Sequence, residues 1–136
     1  TDTLDKWITK GEANDSVILV YADQCKHCME SHESKEKTAK KVLNYSSNVR
    51  FGRIDMWMQT TPKFLAAFPT LNSTTIPKVF LITAGGWSKG KKAKEIYKDG
   101  GNNDRKDLNK NSNKLFNEIV LHTTYKDDFP PPIIDN

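Results

Sequence analysis

The run Val17-Ile18-Leu19-Val20-Tyr21-Ala22 constrains this chain more than any other feature. It is continuously apolar and rich in β-branched residues, with no polar alternation. Such a strand is buried on both faces, as in a sheet covered by helices on each side. Two polar residues follow, Asp23 and Gln24, and then Cys25-Lys26-His27-Cys28. From Cys25 to about Asn44 there is no Pro or Gly, and the composition favours helix. A doubly buried strand delivering the chain through a short turn into a long helix is an α/β arrangement.

The flanking segments extend this pattern. Thr3 to Lys10 reads as an amphipathic helix, with Leu4, Trp7 and Ile8 at helical spacing and Gly11 at its end. Glu12 to Ser16 reads as a polar loop. In the long helix, Met29, His32, Ala39, Val42 and Leu43 form a thin apolar stripe that Lys35 and Glu36 interrupt. Val49 to Met56 reads as a second strand, with Val49 and Phe51 on one face and Ile54 on the other. Thr61-Pro62 is a helix start, with a capping hydroxyl followed by proline at the first helical position. Phe64, Leu65 and Phe68 give that helix its apolar face, and Pro69 ends it. Val79 to Ile82 is a third strand, Gly85-Gly86 a turn, and Glu95 to Tyr97 a fourth strand paired antiparallel to the third. Asp107 to about His122 is a final amphipathic helix, carried by Leu108, Leu115, Phe116, Ile119 and Val120.

The order α-β-α-β-α-β-β-α predicts parallel β-α-β units, then a hairpin and a closing helix. The expected architecture is an α/β sandwich on a mixed four-stranded sheet, one domain over residues 1–124. Residues 125–136 form a proline-containing tail in which Pro130-Pro131-Pro132 favours an extended polyproline conformation.

Composition narrows the function classes. The 136 residues carry a net charge of +4 and are 28% charged, and no apolar run approaches the ~20 residues of a membrane span. The basic surplus is concentrated in Lys89-Gly90-Lys91-Lys92-Ala93-Lys94, a solvated loop suited to an acidic protein surface or anionic lipid. It lacks the interleaved aromatics of a nucleic-acid surface, so no RNA or DNA partner is expected. Cys25 and Cys28 are the only cysteines. A bridge between them closes too small a loop to staple a domain, which leaves a redox-active, metal-binding or incidental pair.

These residues resemble the thioredoxin superfamily over about residues 3–124. Val17 to Cys28 looks like that family's central strand and active-site turn, and Tyr21-Ala22 before Cys25-Lys26-His27-Cys28 is closest to the protein disulfide isomerase version. Gly52-Arg53-Ile54-Asp55 looks like the family's next strand, where lysine often stands at the position of Arg53. Thr75-Ile76-Pro77 looks like the segment carrying its cis-proline. The resemblance implies a thioredoxin-like three-layer sandwich and a thiol-disulfide oxidoreductase acting on protein substrates, with no cofactor and no metal. It implies an oxidising lumen of the endoplasmic-reticulum kind, and the residues fit a mitochondrial or other organellar location equally well. Two positions depart from the family. Gln24 replaces the tryptophan before the first cysteine, and Leu19 replaces a buried carboxylate that assists proton transfer from the second.

On this reading Cys25 is the nucleophile at a helix N-terminus, where free N–H groups and the macrodipole favour the thiolate. Lys26 and His27 add positive charge beside it. Thiolate stabilisation favours the reduced form and makes the pair more oxidising, towards the isomerase range. Cys28 resolves the mixed disulfide. Pro77, cis in the family, holds the Ile76 backbone where an extended substrate strand pairs with it.

Other readings of the same residues stand beside this one. Cys25, Cys28, His32 and His122 could supply four zinc ligands, but without a second close-spaced pair. Met29 rather than His follows Cys28, against haem attachment. Gly85 to Lys91 begins like a phosphate-binding loop, but Lys92 stands where Ser or Thr is needed. The domain also fits an accessory or interaction subunit of a larger assembly, with little or no turnover, docking through the basic hairpin and the Phe129-to-Ile134 tail.

Overall fold

The computed structural model describes residues 2–22, 26–55, 61–69, 78–98 and 108–130, with side chains for 3–22, 32–55, 61–69, 78–97 and 112–130. The elements are α1 (Asp2–Lys10), β1 (Asp15–Tyr21), α2 (Lys26–Tyr45), β2 (Val49–Asp55), α3 (Pro62–Ala67), β3 (Lys78–Ile82), β4 (Lys94–Lys98) and α4 (Leu108–His122). A 3₁₀ turn follows at Lys126–Asp128. The strands form one mixed sheet in the order β2-β1-β3-β4. Among the described residues no helix is long and apolar enough to cross a membrane.

The unbroken apolar run is explained by its place. β1 is central and packs on both faces. Ile18 and Val20 join Ile8 of α1, Ile54, Phe64 and Phe68 in one core cluster. Val17, Val49, Val79 and Leu81 join Val42 of α2 and Leu115, Phe116 and Ile119 of α4 in the other. The period-two alternation of β1 divides it between the two layers, with α1 and α3 on one side and α2 and α4 on the other. Each fully buried large side chain, such as Phe64 or Phe116, contributes about 1.5–3 kcal/mol.

Strand direction corrects the sequence reading. β1 and β2 are parallel, in register Val17↔Phe51. β3 runs antiparallel to β1, in register Ile18↔Phe80, and β4 is antiparallel to β3. Only one β-α-β unit, β1-α2-β2, is therefore parallel. Alternating burial reads the same in both directions along a strand, so the apolar pattern of Val79 to Ile82 carries no direction.

Other corrections follow from polar groups that tertiary contacts satisfy. Asp15 and Ser16, expected in a loop, open β1 and are both 0% exposed. The Asp15 carboxylate accepts from Ala84 N (2.8 Å), Thr124 N (2.8 Å), Thr124 Oγ1 (2.7 Å) and the Thr123 hydroxyl. It ties the start of β1 to the end of β3 and the end of α4. Ser16 Oγ accepts from Arg50 Nε (2.7 Å) and from the buried Trp87 Nε1 (3.4 Å). Arg50 also donates to the Trp7 and Ile8 carbonyls and lies 3.6 Å over the Trp7 ring. Burial pushes its guanidinium down to about 10, opposed by the Glu12 carboxylate.

The packed face of α2 is Ser34, Lys35, Thr38 and Val42, while Leu43 is 53% exposed. Small and polar residues let α2 approach α4 closely. The Thr38 hydroxyl lies between the carbonyls of Ser34 (3.0 Å) and Ser112 (3.2 Å). In α3 the capping reading holds, since Thr61 Oγ1 accepts from Phe64 N at 3.3 Å. Leu65, however, is exposed, and Ala67 takes its place in the core. Phe64 and Phe68 stack at 4.5 Å, and Trp87 packs against both.

The chain beyond α4 is packed as far as Phe129. The Phe129 ring lies 6.0 Å from Phe116 and 6.1 Å from Tyr45, and Ser46 Oγ donates to Asp128 at 2.6 Å. Phe129, expected among the docking residues of the tail, thus packs on its own domain. The expected polyproline residues Pro131 and Pro132, with Ile133 and Ile134, lie outside the described residues.

Candidate functional site

The sheet has two ends of different character. At one end lie the end of β1, the start of α2, the end of β2 and the start of β3. Tyr21 pairs with Asp55 and Val20 with Lys78, so these termini share one edge. Lys26, His27 and Cys28 form the first turn of α2 at this edge. Their side chains, and all of Cys25, Ile76 and Pro77, lie outside the described residues. In the sequence, Ile76-Pro77 immediately precedes Lys78, the first residue of β3.

The backbone already defines an electrostatic environment. α2 is 20 residues long and has no acidic residue in its first turn. Its N-terminal N–H groups carry the positive end of the macrodipole, equivalent to about half a charge. Placing Lys26 and His27 there opposes what helix stability favours, at about 0.3–1 kcal/mol for a like charge at this end. The same arrangement stabilises an anion, such as a thiolate, at the helix start. Nearby, the Arg53 guanidinium lies 5.6 Å over the Tyr21 ring, and Lys78 pairs with Glu95 at 2.9 Å.

Below this edge a cleft of about 280 Å³ separates α2 from β1 and β2. It is lined by the apolar Leu19 and Phe51 from the sheet and by Ala39 and the buried Lys35 from α2, with the more exposed His32, Glu36 and Arg53 around it. Leu19 and Phe51 are only half-buried although they lie in the sheet beneath a helix. Among its described side chains, α2 presents Lys35 and Ala39 to this space rather than a large apolar side chain that would reach the sheet. Leu19, the residue standing where the resemblance expects a carboxylate, faces this space. In the sequence Lys35 interrupts the apolar stripe of α2. Its burial, with Nζ 5.8 Å from the Tyr97 ring centroid, is the feature the sequence did not signal.

The histidines of the four-ligand reading are separated. His32 pairs with Glu36 at 3.0 Å near the start of α2, and His122 pairs with Glu118 at 3.4 Å at the end of α4. α2 and α4 run in the same sense, with Thr38 beside Ser112, Lys41 beside Asn113 and Tyr45 beside Phe116. At about 1.5 Å rise per residue, His32 and His122 lie roughly 25 Å apart along the layer, too far to share a metal. Among the described residues no group of three His, Cys, Asp or Glu could hold a metal ion.

The opposite end of the sheet holds the basic hairpin. Gly85 turns with φ +76°, Ser88 N donates to Glu12 Oε1 at 2.9 Å, and Lys91 N donates to Gly86 O at 2.9 Å. Lys89, Lys91, Lys92 and Lys94 are exposed on this held turn. Strand β4 rather than a helix follows, so Gly85 to Lys91 is not a phosphate-binding loop.

These features define an α/β protein with a four-stranded mixed sheet and a cysteine pair where a central strand feeds a helix. No family model matches the chain, and a comparison with curated proteins finds no match.

Proposed function

We propose that this protein has a thioredoxin-like fold and is a thiol-disulfide oxidoreductase acting on protein dithiols and disulfides through Cys25 and Cys28. One observation carries the reading. The end of the central strand β1, the first turn of α2 and the start of β3 share an edge of the sheet. Those are the points in the chain that flank Cys25 to Cys28 and follow Ile76-Pro77. Cys25 attacks a substrate disulfide as thiolate, forming a mixed disulfide and releasing one substrate thiolate. Cys28 then attacks Cys25 Sγ, closing the intramolecular disulfide and expelling the second substrate thiolate. Lys26 and His27 favour the thiolate of Cys25. The Ile76 backbone, held by Pro77, pairs with an extended substrate.

The test is reduction of insulin by dithiothreitol. The expected result is a rate above background that Cys25→Ser abolishes, with a glutathione equilibrium constant in the isomerase range. A wild-type rate equal to that of Cys25→Ser removes the enzyme reading.

A second reading has its own support. Leu19 offers no carboxylate to the cysteine pair, and the held turn with four exposed lysines lies at the far end of the sheet. These favour an accessory subunit that docks an acidic protein surface through the hairpin. Purification of the native protein inside a complex that Lys91→Glu/Lys92→Glu disperses is the expected outcome. Recovery as a free monomer with insulin-reducing activity opposes it.

A further inference from the structure

We propose that the open edge of β2 is a docking site for an extended segment of another polypeptide, which adds to the sheet as a further strand. The inference is independent of the cysteine chemistry, and β1 separates this edge from β3. β2 and β4 are the two outer strands of the sheet. β4 is five residues long, carries Lys94 and Lys98 at its ends, and shifts its register with β3 at Val79/Phe80. Short length, lysine and an irregular register keep an edge from pairing further. β2 has none of these guards. It runs seven residues, Val49–Asp55, in unbroken register with β1, and contains no lysine or proline. Among the described residues, no backbone hydrogen bond reaches Val49 to Ile54 from any element but β1. A strand paired on one side turns alternate N–H and C=O groups outward, and another extended backbone satisfies them in sequence.

The two faces beside this edge specify the occupant. On the α2 side the cleft over Leu19 opens along Phe51, Gly52 and Arg53, consecutive residues of the edge strand. Phe51 and Leu19 are half-buried, so an apolar side chain from an added strand covers surface that α2 leaves open. Arg53 is exposed, with its guanidinium 5.6 Å from the Tyr21 ring centroid, and Glu36 at the same cleft is engaged by His32 at 3.0 Å. An acidic residue directly across from Arg53 is therefore the complementary pair. On the α1 side, Gly52 lies against the half-buried Trp7 ring, so a partner side chain opposite Gly52 packs beside the indole. Arg50 is already committed to the Trp7 and Ile8 carbonyls. Antiparallel pairing gives the stronger ladder, and in that direction the occupant reads acidic, β-branched, apolar across Arg53, Gly52 and Phe51.

The probe is the acetylated and amidated peptide Thr-Glu-Val-Ile-Thr, titrated into the full chain and followed by amide chemical shifts. Saturation with Kd about 1 mM or tighter is expected, with shifts concentrated at Phe51, Gly52, Arg53 and the Trp7 indole. Two N-methylated versions, one at Val and one at Glu and Ile, block opposite edges of the peptide backbone. One should lose binding and the other keep it, because only one edge faces β2. Lysine in place of the peptide's Glu should weaken binding about fivefold, and Arg53→Glu, at an exposed position, should reverse that preference. Lack of saturation by about 10 mM, shifts at Lys94–Lys98 instead, or binding by both N-methylated peptides overturns the proposal. So does an unchanged preference in Arg53→Glu. A chain that sediments as a dimer and excludes the peptide overturns it in favour of a second copy at this edge.

Discussion

Replacing Asp15 by alanine should cost about 3 kcal/mol of stability without touching the cysteine end of the sheet. The carboxylate is fully buried and accepts from four donors on two other segments. Thr124 is exposed, so water replaces the carboxylate for its N–H and hydroxyl. Thr123 is 2% exposed and Ala84 is half-buried, so the Thr123 hydroxyl and Ala84 N–H lose their acceptor with poor compensation. Each such buried donor costs about 1–3 kcal/mol, and the lost charge-assisted bonds add to this. Removing the buried carboxylate recovers part of its desolvation cost, which brings the total to about 3 kcal/mol. With a urea m-value of about 1.5 kcal/mol/M, the midpoint falls by about 2 M. Asp15→Asn should be nearly as damaging, because its NH₂ faces donors. Thr123→Val combined with Asp15→Ala should cost less than the sum of the singles. β1 spans seven residues, so Asp15 lies about 20 Å from the Tyr21 edge. Insulin reduction per folded molecule should therefore be unchanged. A midpoint shift below about 0.5 M at constant m refutes the assignment of Asp15 as the clasp of this end.

Three further outcomes are expected. Lys26→Glu puts a carboxylate in the first turn of α2 and should raise the Cys25 thiol pKa by roughly half a unit, read from the pH profile of iodoacetamide alkylation. Gly52→Val forces a side chain where a Cβ already meets Trp7 Cζ2 at 3.0 Å, and should destabilise by about 1–3 kcal/mol with a change in tryptophan fluorescence. Because burial holds the Arg50 guanidinium near 10, below its ordinary range, the native state binds fewer protons than the unfolded chain above about that pH. Arg50 therefore adds a stability that rises with pH only above about 10, and the stability difference between wild type and Arg50→Met should be flat from about pH 6 to 9.

Element order and the central place of β1 were legible in the chain because they rest on local chemistry. An apolar run without alternation, Thr61-Pro62 at a helix start and Gly85-Gly86 at a turn each act over a few residues. So does the cysteine pair at the start of α2, since the strand-to-helix transition around it is marked by composition alone. Tertiary structure decided what depends on distant partners. The direction of β3 follows from pairing with β1, since a period-two pattern is the same read either way. Asp15 and Ser16 are buried because Ala84, Thr123, Thr124, Arg50 and Trp87 satisfy them, and none of these is near in sequence. Leu43 and Leu65 face solvent while Lys35 is covered, because helix faces are chosen by the layer they meet and not by hydropathy alone. The cleft above Leu19 and Phe51 belongs to the same class, for an empty space between two elements has no residue of its own to announce it.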